Sequence, residues 1–270
     1  MVSQRALTKP RYSDIEPLPD PPRRRDMRQN DAVWRFFATL EPHFVDRGDV
    51  MLGGGGYLVF DAGDVGEFYP DCVFADGVSD PPAVIWRNGY VISEVGKPPD
   101  FVLEVASRST GRRDYTVKRE GYARYGVGEY WRFDPTGGEY HDAPLAGDKL
   151  NEDGVYEPIE IVSEPDGRHW GYSEALGLEL WWEDKTLRFR DPVSGEFLPT
   201  ATEWREAAEA ERERADAAET LTESERARAG VAETLLESER VARTSAEERA
   251  NAAEARMAEV EAELRRLRGE

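Results

Sequence analysis

The stretch PDFVLEVASRST, residues 99–110, sets an acid inside a run of strand-forming apolar residues. Alternation along a strand turns Val102, Glu104 and Ala106 to one face and Phe101, Leu103 and Val105 to the other. If both faces are covered, the Glu104 carboxylate is buried, and a buried charge is costly unless something positive meets it. Three partners are open at this point: an arginine, a proton or a metal ion. An arginine or lysine from the segment that follows (Arg112, Arg113 or Lys118) would make a buried salt bridge.

The flanking segments say what covers such a strand. MRQNDAVWRFFATLEPHF, from Met27 to about Phe44, carries Val33, Phe36, Phe37 and Leu40 at helical spacing, with Asn30 or Asp31 as candidate N-caps. Strand signals follow in VMLGG, YLVF and DCVFA (71–75), and GVSDPP reads as a turn. After FVLEVA, a helix is predicted from about Arg113 to Tyr125, capped by Ser107, Ser109 or Thr110 and closed near Gly126. EYWRFD at 129–134 is a further strand that stops at Pro135. Turn dipeptides between 139 and 199 separate short strands such as YEPIEIV and ELWWE, read as β hairpins annexed to the sheet. Strands interleaved with helices in this order suit a mixed sheet flanked by helices.

Two ends of the chain differ from this middle. Residues 1–26 are rich in proline and arginine (PLPDPPRRR) and read as an extended arm. From 201 to 268 there is no proline and a single glycine, Gly230. There AETLTESERARAGV is followed by AETLLESERVARTS, identical at eight of fourteen positions, and fourteen residues is two heptads. The expected organisation is an arm over 1–26, an α/β domain over 27–199 and a long charged helix over 200–270. That helix is a candidate coiled coil and a route to a homodimer, although an alanine-rich seam buries little area. Glu–Arg pairs on a solvated single helix account for the same composition.

Net charge and cysteine count narrow the function classes. A formal charge of −20 repels nucleic acid unless a local basic patch overrides it. Cys72 is the one cysteine, so neither an intrachain disulfide nor a cysteine-rich zinc site is available. The start MVSQRALTKPRY lacks the apolar stretch of a signal peptide, and no run of about 18 apolar residues exists; a cytoplasmic, non-membrane protein is expected. His43, His141 and His169 are scattered singly, without zinc-site spacing, and receive no chemistry. The run GGGG at 53–56 lacks the lysine and serine of a phosphate-binding loop and reads as a hairpin turn or flexible loop. Arg23, Arg24 and Arg25 form a small basic footprint.

Asp71, at the start of DCVFA after Pro70, is the second acid at the edge of an apolar strand. Were the two strands neighbours, Asp71 and Glu104 would converge, and a divalent cation between them would relieve their repulsion. Mg²⁺ takes one or two carboxylates, keeps waters and completes its shell with phosphate oxygens. Lys118 on the following helix can reach over the acids, with Asp114 one turn before it and Tyr122 one turn after. Tyr122, Tyr125, Tyr130 and Trp131 read as core packing.

The ordered elements Pro70-Asp71, Glu104-Val105-Ala106-Ser107 with Ser109-Thr110, Asp114 with Lys118 and Tyr122, and GVGEYWRFDP resemble the Uma-type restriction endonuclease family of the PD-(D/E)XK nuclease superfamily. The similarity spans roughly 27–190, and the segment SEALGLELWWEDKTLRFRDPVSGEFLPT with its Arg/Glu helix resembles members with a coiled-coil tail. The resemblance implies a restriction-endonuclease-like α/β fold, with Asp71 and Glu104 as ligands of Mg²⁺ or Mn²⁺. It also implies Lys118 as the assisting lysine. The chain departs from the superfamily pattern at Ala106, where E-x-K would place its lysine. Two functions are therefore carried forward. One is a metal-dependent endonuclease acting on nucleic acid, DNA first. The other is a catalytically inactive nuclease-fold scaffold that recruits a partner through its C-terminal coiled coil.

Overall fold

The computed structural model describes residues 15–21, 25–64, 66 and 68–268. Helix α1 (Met27–His43) comes first, then strands β1 (Met51–Gly53), β2 (Tyr57–Val59) and β3 (Cys72–Ala75). Helix α2 (Pro81–Trp86), strand β4 (Gly89–Val91) and helix α3 (Ile92–Val95) lead to β5 (Phe101–Val105). Helices α4 (Gly111–Tyr115) and α5 (Val117–Tyr125) then connect to β6 (Glu129–Phe133). Strands β7 (Leu145–Leu150), β8 (Tyr156–Pro158), β9 (Val162–Ser163), β10 (His169–Ser173), β11 (Leu178–Glu183) and β12 (Thr186–Arg190) follow, and α6 (Ala201–Arg268) closes the described chain.

Among the described residues the main sheet has the order β1-β3-β5-β6-β7-β8. Only β5 and β6 run parallel within it, so the sheet is mixed. A parallel pair needs a crossover connection, and α4 with α5 supplies it. A second sheet has the order β12-β11-β10-β9, and β2 with β4 forms a small parallel pair. Only β7 and β8 extend the main sheet, whereas β9–β12 form a sheet of their own, so the expected annexed hairpins divide between two sheets.

Both faces of β5 are covered. Phe101, Leu103 and Val105 pack with Phe36 and Leu40 of α1 and with Leu178, Leu180, Leu187 and Phe189 of the second sheet. Phe36 stacks on Phe101 with ring centroids 5.9 Å apart. On the other face Val102 joins Val73, Phe68, Tyr122, Val127 and Tyr130 in a separate cluster. Side chains of this size each contribute about 1.5–3 kcal/mol on full burial, enough to fix the register of the strand that carries them. Glu129 ties the second sheet to β6: its carboxylate accepts from Ser173 Oγ (2.5 Å), Glu174 N (2.8 Å) and Ala175 N (3.1 Å).

Several local expectations change. The N-cap of α1 is Asp26, not Asn30 or Asp31: its side chain accepts from Gln29 N, and the Gln29 side chain accepts from Asp26 N. GVSDPP is not a plain turn but the start of α2, with Asp80 as N-cap and proline in the first turn, where a missing N–H costs nothing. The helix expected over 113–125 is two helices that break at Thr116 (φ −119, ψ −93). Thr110 is the N-cap residue but makes no side-chain capping bond.

The described part of the N-terminal segment, residues 15–21, carries no helix or strand, and Leu18 is buried with Tyr57, Val59 and Val91. Arg23 and Arg24 lie outside the described residues. The compact α/β unit runs to Trp204, and a second unit runs from Arg205. Helix α6 begins with a reciprocal cap in which Thr200 N donates to Glu203 Oε2 (2.6 Å) and Glu203 N to Thr200 Oγ1 (3.3 Å). Along α6, Arg243 and Glu247 pair at 3.2 Å, and Leu221, Leu235, Leu236, Val260 and Leu264 are exposed. Among the described residues no helix is long and apolar enough to cross a membrane.

Candidate active site

The register of the main sheet brings the two acids together. Cys72 pairs with Leu103 and Val73 with Val102, so one step further along the antiparallel pair Asp71 stands opposite Glu104. Val73 and Val102 belong to the cluster on the α5 side, and the alternation puts Asp71 and Glu104 on that same side. Both acids are fully buried.

Asp71 continues the strand with its side chain. Oδ2 accepts from Val105 N (2.9 Å), the position a backbone carbonyl would take in a longer ladder. Oδ1 accepts from Arg25 Nε at 2.7 Å, and Arg25 Nη2 donates to the Asp71 carbonyl at 3.1 Å. The glycine run lies directly against this pair. A Cβ on Gly54 would sit 2.1 Å from the Asp71 carbonyl oxygen, and one on Gly55 (φ +77) would sit 2.9 Å from Arg25 Nη2. The run is thus the wall of the Asp71 site, and it is not a hairpin turn, because β1 pairs with β3 and β2 with β4.

Glu104 is met by the crossover helix. Lys118 Nζ lies 2.8 Å from Oε2, and the Tyr122 hydroxyl donates to Oε1 at 2.6 Å. Lys118 also lies 2.7 Å from Asp114 Oδ1, while Asp114 Oδ2 is 2.9 Å from His141 Nε2. Residues 114, 118 and 122 are spaced so that their side chains share one helical face, and the break at Thr116 leaves that spacing intact. Burial, reinforced by the neighbouring Glu104 charge, pushes the Tyr122 phenol well above its ordinary value, so it remains a donor.

His141 is positioned by a loop. Asp134 accepts from Thr136 N (2.8 Å), Tyr140 N (2.9 Å) and His141 N (2.8 Å). Burial alone would raise the Asp134 carboxyl, but the hydrogen bonds from Thr136, His141 and Tyr140 outweigh it and hold it below the usual range. Arg132 pairs in register with Glu104 on the neighbouring strand. Its guanidinium lies over the rings of Tyr115 (4.5 Å) and Tyr130 (4.9 Å) and pairs with Asp148 (2.7 Å).

The structure therefore brings Asp71, Glu104, Lys118 and Asp114 into one buried cluster. Arg25, Tyr122 and His141 join it without having been assigned to it from the sequence. For Tyr122 the signal was its spacing of four from Lys118. His141 and Arg25 left no local signal, since their partners are 27 and 46 residues away.

Residues 19–183 match the family Uma2, described as "Putative restriction endonuclease". The chain belongs to the Uma2 family. No curated protein matches it. One solved structure similar to the chain is a putative nuclease belonging to DUF820 from Anabaena variabilis ATCC 29413. The two are 13% identical, with a TM-score of 0.31, and the similarity covers 52% of this chain and 70% of that one.

The donor set of this Uma2 chain suits a small hard cation. Two buried carboxylates stand opposite each other, and oxygen ligands of this kind, completed by water and phosphate oxygens, are what Mg²⁺ takes. Among the described residues no group of three or more His, Cys, Asp or Glu side chains forms a fuller cage. Lys118 and Arg25 already bring positive charge to the two acids, so a cation would enter by displacing or sharing with them.

Proposed function

We propose that this Uma2 chain is a metal-dependent endonuclease that hydrolyses phosphodiester bonds of nucleic acid, with DNA as the first substrate to test. The observation that carries the reading is that the β3–β5 register sets Asp71, just before β3, opposite Glu104, with Lys118 delivered to Glu104 from α5. Asp71 and Glu104 would hold Mg²⁺ or Mn²⁺. When bound, such a cation supplies Lewis-acid polarisation of a phosphodiester and activates water.

The chain's own residues supply the rest. Lys118 offsets negative charge that develops on the phosphate, in a site where burial strengthens every electrostatic interaction. Asp114 holds Lys118 by its other side, and His141 holds Asp114. Tyr122 fixes the Glu104 carboxylate through a short hydrogen bond. Lys118 stands in for the lysine absent at Ala106, which is itself buried two residues beyond Glu104.

A second reading, an inactive scaffold acting through the C-terminal helix, is favoured by the fact that both acids have cationic partners from the chain itself. Cleavage separates the two. Supercoiled and single-stranded DNA are incubated with Mg²⁺ or Mn²⁺ and the wild type, Asp71→Asn or Glu104→Gln. Metal-dependent nicking by the wild type, lost in both variants, is expected. Nicking that persists in both variants places the activity elsewhere, and no nicking by the wild type favours the scaffold.

A further inference from the structure

Arg25 sits in a built seat. Its Nε donates to Asp71 Oδ1 at 2.7 Å and its Nη2 to the Asp71 carbonyl at 3.1 Å. Gly55 offers a bare backbone face to the guanidinium, since a Cβ there would lie 2.9 Å from Nη2 and 3.2 Å from Nη1. The arginine precedes the N-cap of α1, whose Gln29 side chain donates to the Val105 carbonyl at 2.9 Å. Val105 N in turn donates to Asp71. The start of α1, the end of β5 and Asp71 are thus one hydrogen-bonded junction. A cavity of ≈ 150 Å³, lined by Arg25, Asn30, Gly55 and Tyr69, adjoins the seat.

We propose that Arg25 is a tethered internal cation that competes with the divalent metal for Asp71. Metal loading then releases its guanidinium from Asp71 into the adjoining cavity. This rests on the metal reading of Asp71 given above. Asp71 Oδ1 is engaged by a guanidinium at 2.7 Å, and a metal brought to ligand distance of that oxygen draws on the same carboxylate charge. Two cations on one carboxylate also repel, so occupancy by either weakens the other. Linkage makes the effect reciprocal: whatever Arg25 subtracts from metal affinity, metal subtracts from the hold of Asp71 on Arg25. The side chain of Arg25 is 23% exposed, whereas that of Asp71 is fully buried, so the arginine is the partner with open space beside it.

Isothermal titration calorimetry with Mn²⁺ on the full chain tests the competition. Arg25→Gln keeps a hydrogen-bonding side chain and removes the charge. It is expected to bind Mn²⁺ at least about fivefold more tightly than the wild type, the lower end of ordinary coupling between two sites. Asp71→Asn is expected to lose the binding. If Asp71→Asn abolishes binding but Arg25→Gln binds no more tightly than the wild type, the metal site stands and the competition is overturned. If Asp71→Asn binds like the wild type, or no protein binds Mn²⁺, both readings fall. A second measurement needs no substitution in the titrated protein. The ¹⁵Nε–Hε resonance of Arg25, assigned by its loss in Arg25→Lys, is followed as Mg²⁺ is added to the wild type. It is expected to shift as the bond to Asp71 breaks. A resonance unmoved at Mg²⁺ concentrations that saturate the calorimetric site overturns the proposal.

Discussion

Lys118 reaches Glu104 from a different layer of the fold: its Nζ stands 2.8 Å from Oε2, delivered by α5, while the strand position two residues beyond Glu104 is the buried methyl of Ala106. The strand can therefore stay apolar on both faces except at the one acid. The lysine is held from both sides by Glu104 and Asp114.

Removing one member of such a buried pair is expected to cost about 3–5 kcal/mol, because the remaining charge is stranded. Lys118→Met and Glu104→Gln should each lower the unfolding free energy, measured by urea titration, by that scale. The double variant should lose less than the sum of the two. Additive losses would show that the two groups are energetically independent.

Metal binding should stabilise the folded chain by mass action, by about 2.7 kcal/mol at a concentration one hundred times Kd. Thermal scans with and without Mg²⁺ or Mn²⁺ are expected to show a rise in Tm for the wild type and none for Glu104→Gln. An equal rise in that variant would remove Glu104 from the ligand set.

Alkaline pH should weaken the fold. Burial, with Glu104 next in weight, raises the Tyr122 phenol well above its ordinary 10.0. Burial, with Asp114 next, does the same for Tyr130. The folded state then keeps protons that the unfolded chain releases above about pH 10. Their contribution is complete below that pH and declines as pH rises through the raised values. Urea midpoints should hold to about pH 9 and fall by pH 11, with a shallower fall in Tyr122→Phe. A midpoint unchanged between pH 9 and pH 11 would contradict this.

The tail offers a separate test. A chain ending at Trp204 retains the whole compact α/β unit and should fold as a monomer. The full chain is expected to dimerise through α6, whose repeat places Leu221 and Leu235 at equivalent, exposed positions. Sedimentation of both proteins decides it, and dimerisation of the shortened chain would move the interface to the α/β unit.

Much of this arrangement was legible because it is periodic. Alternation identified β5 and the isolated acid on it, and the spacing of 114, 118 and 122 identified one face of the crossover. Contacts that join distant segments were not legible. Nothing near Arg25 announces Asp71, and nothing near His141 announces Asp114. The division of the C-terminal strands into two sheets is equally silent, since alternation reports which residues face inward but not which neighbour completes a ladder. GVSDPP misled because proline serves both turns and first helical turns, and only the Asp80 cap distinguishes them.

Gly54 and Gly55 carry no charge and donate nothing to the proposed chemistry, yet each is pressed against atoms that define it. Tolerance to substitution should follow proximity of backbone as much as reactivity of side chain. In a saturation library of this chain, Gly54 and Gly56, where a Cβ would meet backbone atoms of Asp71 and Asn88, would score as strictly as the acids beside them. A variant at Gly54 read without the geometry would be mistaken for a folding defect of a loop.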